Sequence, residues 1–261
     1  MRYEDLVARV GTRVSLSSGA TVLDDCDVVL ARIIPKGSLE QIIFRVDALH
    51  ALEDAGVRVV NSPRAIERTV DKFWTSALFA QQGLATPETI CCESPEAAIE
   101  AYRALGGDVI VKPLFGSMGL GMVRLTDEDT AFRVFRTLEQ LRSIYYVQRA
   151  IAHEGRDLRA FVIGERVVGA IERRAEGWRT NVSRGGQARP VALTEAETSL
   201  ALRAARLVGA EYAGVDLLPA NDGAVYVLEV NGIPGWEGLQ GATGLDVAGC
   251  LADHVTAVRQ P

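Results

Sequence analysis

Apolar and polar positions change period several times along this chain, and each change marks an element. Residues 28–33 form a short apolar run that reads as a strand. Ser38 follows as a helix N-cap, and the helix runs to about Ala55 before Gly56 stops it. Residues 57–60 make the next strand. Strand, helix and strand in that order predict a parallel βαβ unit. Ser62-Pro63 opens a short helix with proline at its first position. A second helix is expected over residues 70–82, with Phe73, Trp74, Ala77 and Leu78 as its core stripe. Pro87 starts an extended piece, and Pro95 opens a helix to about Leu105. Residues 109–112, 122–125 and 144–148 read as strands, with a helix from Asp127 to about Leu141. Residues 158–163 and 166–171 predict a hairpin turned at Gly164-Glu165. Thr194 caps a helix that Gly209 ends, and a last helix covers about 247–258. Residues 1–26 are weakly patterned and are expected to be partly irregular. The fold class that results is α+β, with antiparallel pieces after residue 108.

Two apolar, strand-like runs near the C-terminus carry the sharpest chemical signal. They cover residues 213–219 and 224–231, with Asn221-Asp222-Gly223 between them. Asp-Gly is a strong hairpin signal. If Asp222-Gly223 is a two-residue turn, counting back from it sets Asp216 opposite Glu229. Period-2 alternation then puts Asn231 on the same face as Glu229. Like charges directly opposite destabilise a sheet, so a positive group is expected between them. Two carboxylates and an amide oxygen are hard ligands that suit magnesium. The plainer reading is two solvated acids on an edge hairpin, but here the acids interrupt buried-looking strands.

Composition narrows the class without naming it. The chain has 261 residues, 48% hydrophobic and 24% charged, which is ordinary for a globular protein. A net charge of −6 gives no basic footprint for nucleic acid. No apolar run approaches the ~18 residues of a membrane span. The N-terminus lacks an apolar signal core, and the four cysteines have no metal-type spacing, so a cytoplasmic protein with reduced thiols is expected.

A glycine-rich stretch joins Lys112 to Gly121 and includes Gly116, Ser117, Met118 and Gly119. It lies between two strands and lacks a Gly-Lys-Ser ending, which argues against a P-loop and a Rossmann fingerprint. It is either a plain turn or a flap whose backbone amides cover phosphates. Lys112 ends the buried strand before it and either snorkels to water or faces an anion. Lys72 is a second candidate phosphate contact. Arginines 156, 159, 173, 174 and 184 gather among the later strands and suggest a local anion site. His50, His153 and His254 lie outside these groups and read as structural or solvated.

The order of these pieces resembles the ATP-grasp superfamily, and within it the RimK-type α-L-glutamate ligases. The resemblance rests on residues 61–66 with Asp71-Lys72-Phe73, the Lys112 strand with its glycine flap, residues 157–164, residues 179–186, and Asp216 with Glu229 and Asn231. It implies an ATP-grasp fold with a short N-terminal domain (residues 1–75), a central lid subdomain (76–147) and a C-terminal subdomain (148–261), the last two enclosing the nucleotide. It implies that Lys72 and Lys112 contact ATP phosphates under the flap. Gln148, Arg149, Ala150 and Ile151 would form the hinge beside adenine, with Asp157 near the ribose. Arg159, Arg179, Thr180 and Asn181 would reach the nucleotide. Arg173, with Arg184, would face an acyl phosphate. Asp216, Glu229 and Asn231 would hold two magnesium ions, with manganese as a substitute. The family usually has an acidic residue where this chain has Arg149. The implied activity is ATP-dependent ligation of an amino acid, L-glutamate, to a carboxylate acceptor. The acceptor is expected to be a pterin or deazaflavin cofactor, or a protein. Other readings are a dipeptide or glutathione-type synthetase and a non-catalytic ATP-binding regulatory module. Relatives imply a homodimer or homotetramer.

Overall fold

The computed structural model of the chain describes residues 2–116, 119–175, 177–178 and 187–257. Its N-terminal part holds two small sheets. Strands β1 (Leu6–Val10), β2 (Val14–Ser18) and β3 (Thr21–Val22) form an antiparallel meander. Three strands occupy a segment expected to be partly irregular, and residues 11–13, 19–20 and 26–27 lie outside any helix or strand. Val7 and Val10 stay exposed, so β1 lacks the alternation that marks a half-buried strand. Strand β4 (Val28–Leu30), helix α1 (Leu39–Asp54) and strand β5 (Arg58–Val60) then form the expected unit, with β4 and β5 parallel. Ser38 and Gln41 close a capping box at the start of α1. The inner side of α1 packs Ala48, Leu49 and Leu52 on Leu6, Leu16 and Val59.

Helix α2 (Pro63–Val70) starts on a Ser62 cap. Asp71 is extended and caps the next helix through Trp74 N at 3.0 Å, so α3 begins at Lys72, two residues after the expected start, and spans Lys72–Gln81. Thr75 and Phe79 are its buried residues, whereas Phe73 is 54% exposed and Trp74 36%. The expected core stripe is therefore displaced. Polar anchors set the phase of the helix: Thr75 donates to Arg68 O, and Ser76 lies 2.7 Å from the Tyr146 hydroxyl.

A four-stranded antiparallel sheet follows, in the order β6 (Thr89–Cys92), β9 (Tyr145–Arg149), β7 (Val109–Lys112) and β8 (Val123–Leu125). Helices α4 (Pro95–Ala104) and α5 (Glu128–Gln140) cover one face of it with Ala98, Ala101, Ala131 and Phe135. The larger sheet is also antiparallel. Its order is β12 (Gln187–Pro190), β11 (Arg166–Arg174), β10 (Arg156–Ile163), β13 (Tyr212–Pro219) and β14 (Val225–Asn231). Helix α6 (Glu195–Val208) opens on a Thr194–Glu197 capping box and ends at Gly209, whose φ of +78° suits glycine. The expected final helix is α8 (Val247–Ala257), and a short helix, α7 (Glu237–Thr243), precedes it.

Asn61 fastens the N-terminal unit to the larger sheet. It is fully buried, and its amide donates to Tyr212 O at 2.7 Å and Gly232 O at 2.6 Å. Its oxygen accepts from Glu211 N at 2.7 Å and Tyr212 N at 3.1 Å. All four groups lie at the ends of β13 and β14, so the N-terminal unit is registered against the strands that carry Asp216 and Glu229.

Candidate active site

Alternation sorts the larger sheet into two faces. Leu158, Ala160 and Val162 of β10 and Val215 and Leu217 of β13 join the core with α6. On the other face, Phe161 and Ile163 pack on Leu239 and Leu251. Further along that face the strands carry charge. Register sets Asp157 opposite Arg173 and Arg159 opposite Asp216.

These four side chains form a ladder of alternating sign. Arg173 donates to both Asp157 oxygens, from Nε at 2.6 Å and Nη2 at 2.5 Å. Arg159 grips Asp216 the same way, at 2.6 and 2.7 Å. Arg173 Nη2 also lies 2.9 Å from Asp216 Oδ2, which joins the two pairs. Asp157, Arg173 and Asp216 are all buried. Burial of this kind is tolerable only with paired charges and bidentate geometry. Burial alone would raise the Asp216 carboxyl, but Arg159 and Arg173 together hold it well below the usual carboxylate range.

Glu229 lies across from Asp216, as expected, but not by the expected count. The turn is a three-residue loop, Asn221-Asp222-Gly223, closed by Ala220 N on Ala224 O at 2.8 Å, with Gly223 at φ +85°. That loop shifts the near-turn register by one, and a bulge beside Leu217 shifts it back, pairing Leu217 with Val227 and Asp216 with Glu229. The bulge leaves Leu228 unopposed. It allows Val227 and Val230 both to enter the α6 core while Leu228 and Glu229 both line the cleft. The positive group expected between the acids is the Arg159 guanidinium, whose Nη2 lies 3.7 Å from Glu229. Burial and the Asp216 charge push the Glu229 carboxyl above its ordinary value, although its side chain keeps 42% of its surface exposed on the cleft side.

The opposite wall comes from the four-stranded sheet. Lys112, at the end of β7, is buried and donates to Gln148 Oε1 at 2.6 Å. Burial brings its ammonium down to about 8. Lys72, on the first turn of α3, donates to Gly116 O at 2.9 Å and Leu114 O at 3.4 Å, so it clasps the glycine-rich loop. Its pKa is also lowered by burial. The cleft lies between the two sheets and opens to solvent.

The structure brings most of the sequence candidates together. Lys72, Lys112, Gly116, Gly119, Gln148, Arg149, Ile151, Asp157, Arg173, Asp216 and Glu229 all line the cleft. Arg159 stands behind them on Asp216. Ala150 contributes its amide to Asp108 O and is not in the wall. Asn231 is not in the wall either; its side-chain oxygen accepts from Ile233 N at 3.0 Å. Arg149, the departure from the acidic residue usual in the resembling family, pairs with Glu88 at 2.6 Å. Ser117, Met118, Arg179, Thr180, Asn181 and Arg184 lie outside the described residues.

Several lining residues escaped the sequence reading. Ile110 and Leu218 lie two positions from Lys112 and Asp216 on the same strand faces, a signal that alternation would have supplied. His153, expected to be merely structural or solvated, also lines the cleft, as does Trp178, and both come from loops with no period to announce them.

The oxygen donors suit a hard divalent cation. Glu229 is held only by a long contact to Arg159 among the described residues, and Asp216 has three N–H contacts against about four lone-pair sites. Glu229 with Asp216 would hold such an ion, with the Asn231 amide two residues beyond on the same strand.

A family model for the RimK-like ATP-grasp domain matches residues 69–255, which spans both walls of this cleft. The chain belongs to the RimK-like ATP-grasp family. It is 35% identical to the tetrahydromethanopterin:α-L-glutamate ligase of Methanosarcina acetivorans, over 91% of this chain and 82% of that protein. Its fold matches the ATP-grasp ligase PsnB complexed with a minimal precursor, with a TM-score of 0.73 at 22% identity, covering 97% of this chain and 86% of that one. It also matches the RimK-domain ATP-grasp protein of Sphaerobacter thermophilus, with a TM-score of 0.71 at 24% identity over 88% of this chain and 81% of that one. The ATP-grasp fold and the ligase class expected from the sequence are borne out. In this RimK-like ATP-grasp chain, the four-stranded sheet with its glycine loop and the five-stranded sheet with its charged ladder are the two jaws of the cleft.

Proposed function

We propose that the chain is an ATP-dependent carboxylate–amine ligase that adds L-glutamate to a small-molecule acceptor of pterin type. The observation that carries this reading is the pairing of two lysines under the glycine loop with an open Glu229 on a charge ladder. Lys72, Lys112, Arg149 and Arg173 line the cleft together with Asp157, Asp216 and Glu229, four cations to three carboxylates. That balance favours a polyanion such as ATP. The acceptor follows from the 35% identity to a ligase whose name pairs tetrahydromethanopterin with α-L-glutamate.

In this reading the γ-phosphoryl group passes from ATP to an oxygen of the acceptor carboxylate, releasing ADP and forming an acyl phosphate. The amine of glutamate attacks the acyl carbon, the C–O bond to phosphate breaks, and an amide and inorganic phosphate result. Lys72 and Lys112 hold the phosphates, so that phosphoryl transfer proceeds by positioning and charge. Arg173 is fixed by Asp157 and Asp216, and its Nη1 has no hydrogen-bond partner among the described residues, which leaves it to meet the acyl phosphate. Magnesium held by Glu229 and Asp216, with Asn231, would supply charge neutralisation at the phosphates. The glycine loop covers the site and keeps water from the acyl phosphate.

A nucleotide-binding regulatory module would not need Glu229 kept open beside Asp216, and this favours catalysis. The test is ADP release from MgATP with L-glutamate and a tetrahydropterin carboxylate. Release that requires all three supports the reading, and no MgATP binding overturns it.

A further inference from the structure

The Lys112 ammonium is held by a chain of hydrogen bonds whose polarity is fixed from one end. Thr89 donates its hydroxyl proton to Pro87 O at 2.9 Å, so its oxygen is left to accept. Gln148 Nε2 donates to Thr89 Oγ1 at 3.0 Å and to the Tyr146 hydroxyl at 3.1 Å. The Tyr146 hydroxyl also shares a hydrogen bond with the Ser76 hydroxyl, 2.7 Å away on α3. With both amide protons committed, the Gln148 carbonyl faces the other way, onto Lys112 Nζ at 2.6 Å. A flipped amide would point N–H groups at an ammonium. Tyr146 and Gln148 are both about 1% exposed, so water does not compete for these bonds. Tyr146 also pairs with Lys112 across the strands, and its ring centroid lies 6.0 Å from Nζ. The same chain ties β9 to α3, which carries Lys72 one turn before Ser76.

We infer that Tyr146 is a positioning residue for phosphate binding: acting through Gln148, with Thr89 and Ser76, it fixes the direction in which Lys112 presents its ammonium to the cleft. The inference rests on the ATP-ligase reading and names residues of that site which no family motif assigned. One of the three Lys112 donors is engaged by Gln148, and the others have no partner among the described residues. Without the Tyr146 hydroxyl, one amide proton of Gln148 is orphaned and the amide is free to turn. Lys112 then loses the group that aims it.

The experiment is a double-mutant cycle on the full chain, read as the equilibrium dissociation constant for MgATP. Tyr146→Phe keeps the ring and removes only the hydroxyl. It is expected to weaken MgATP by about tenfold, the size of a lost hydrogen bond that serves a charged group. Thr89→Val acts in the same direction and stands in if the tyrosine variant fails to fold. In a Gln148→Met background, Tyr146→Phe is expected to cause no further loss, because its route to Lys112 is already cut. Equal losses in both backgrounds would overturn the inference and make Tyr146 a packing residue. Unchanged binding in Tyr146→Phe would overturn it too. A parent chain that does not bind MgATP would overturn the ATP reading itself, and the inference with it.

Discussion

Replacing Asp157 tests whether the charge ladder is held together as the geometry indicates. Asp157 accepts two hydrogen bonds from Arg173, and both side chains are only 4% exposed. Removing one member of a buried pair costs about 3–5 kcal/mol, because the other charge is left buried without its counter-ion. Arg173 keeps Asp216 at 2.9 Å, which places Asp157→Ala at the lower end, about 3 kcal/mol. For a chain of this size that is a fall in Tm of about 6–12 °C. Asp157→Asn retains one acceptor and should lose roughly half as much. The assay is thermal unfolding followed by tryptophan fluorescence, since Trp236 packs edge-on against Phe161 of the same sheet at 6.1 Å. The double change Asp157→Leu with Arg173→Met leaves neither charge of the pair alone and should regain most of the stability, yet release no ADP. A parent-like Tm for Asp157→Ala would show that the pair does not hold the ladder, and a double variant that is both stable and active would show that the reaction does not need it.

Three further outcomes follow from other parts of the structure. Asn61→Ala strips a partner from four backbone groups, three of them in buried hydrogen bonds, and a buried group left unmatched costs about 1–3 kcal/mol, so the N-terminal unit should become cleavable by protease well before the larger sheet does. Gly232→Ala would set a Cβ 2.5 Å from Thr69 Oγ1, and the forced shift at the end of β14 should raise the KM for MgATP; an unchanged KM would show that the α2 contact does not hold Asn231 in place. Lys112 has an apo value of about 8 against an ordinary 10.5, because burial disfavours its charge. Between those values the unfolded chain binds the proton and the folded chain does not, so this group makes stability rise with pH across the window. Phosphates restore the charge, so MgATP binding near pH 9 should take up a proton, seen by calorimetry in buffers of different ionisation enthalpy and lost in Lys112→Met.

What the sequence disclosed depended on how local each signal was. Caps at Ser38, Ser62 and Thr194 and the stop at Gly209 are written in adjacent residues, and the helices begin and end where those residues place them. Asp216 and Glu229 do face each other, but the count that led there was incomplete: a three-residue loop and a bulge shift the register in opposite senses and cancel. A bulge has no local signature here beyond the spacing of Val227 and Val230, three apart with both in the core. The role of Arg159 was hidden for a different reason. It binds Asp216 across a strand pair 57 residues away in sequence, and only tertiary structure sets that distance. His153 and Trp178 enter the cleft from loops, where period gives no guidance.

Glu229 is the residue on which the proposed ligation depends most directly. The measurement is mass spectrometry of a tetrahydropterin carboxylate after incubation with MgATP and L-glutamate, run beside the Glu229→Gln variant. The parent is expected to add the mass of one glutamyl residue, or a multiple of it, with matching ADP, and Glu229→Gln to stay folded and add none. A Glu229→Gln protein that ligates at the parent rate would contradict the site, and a parent that binds MgATP but modifies neither this acceptor nor any other carboxylate offered would contradict the proposed reaction.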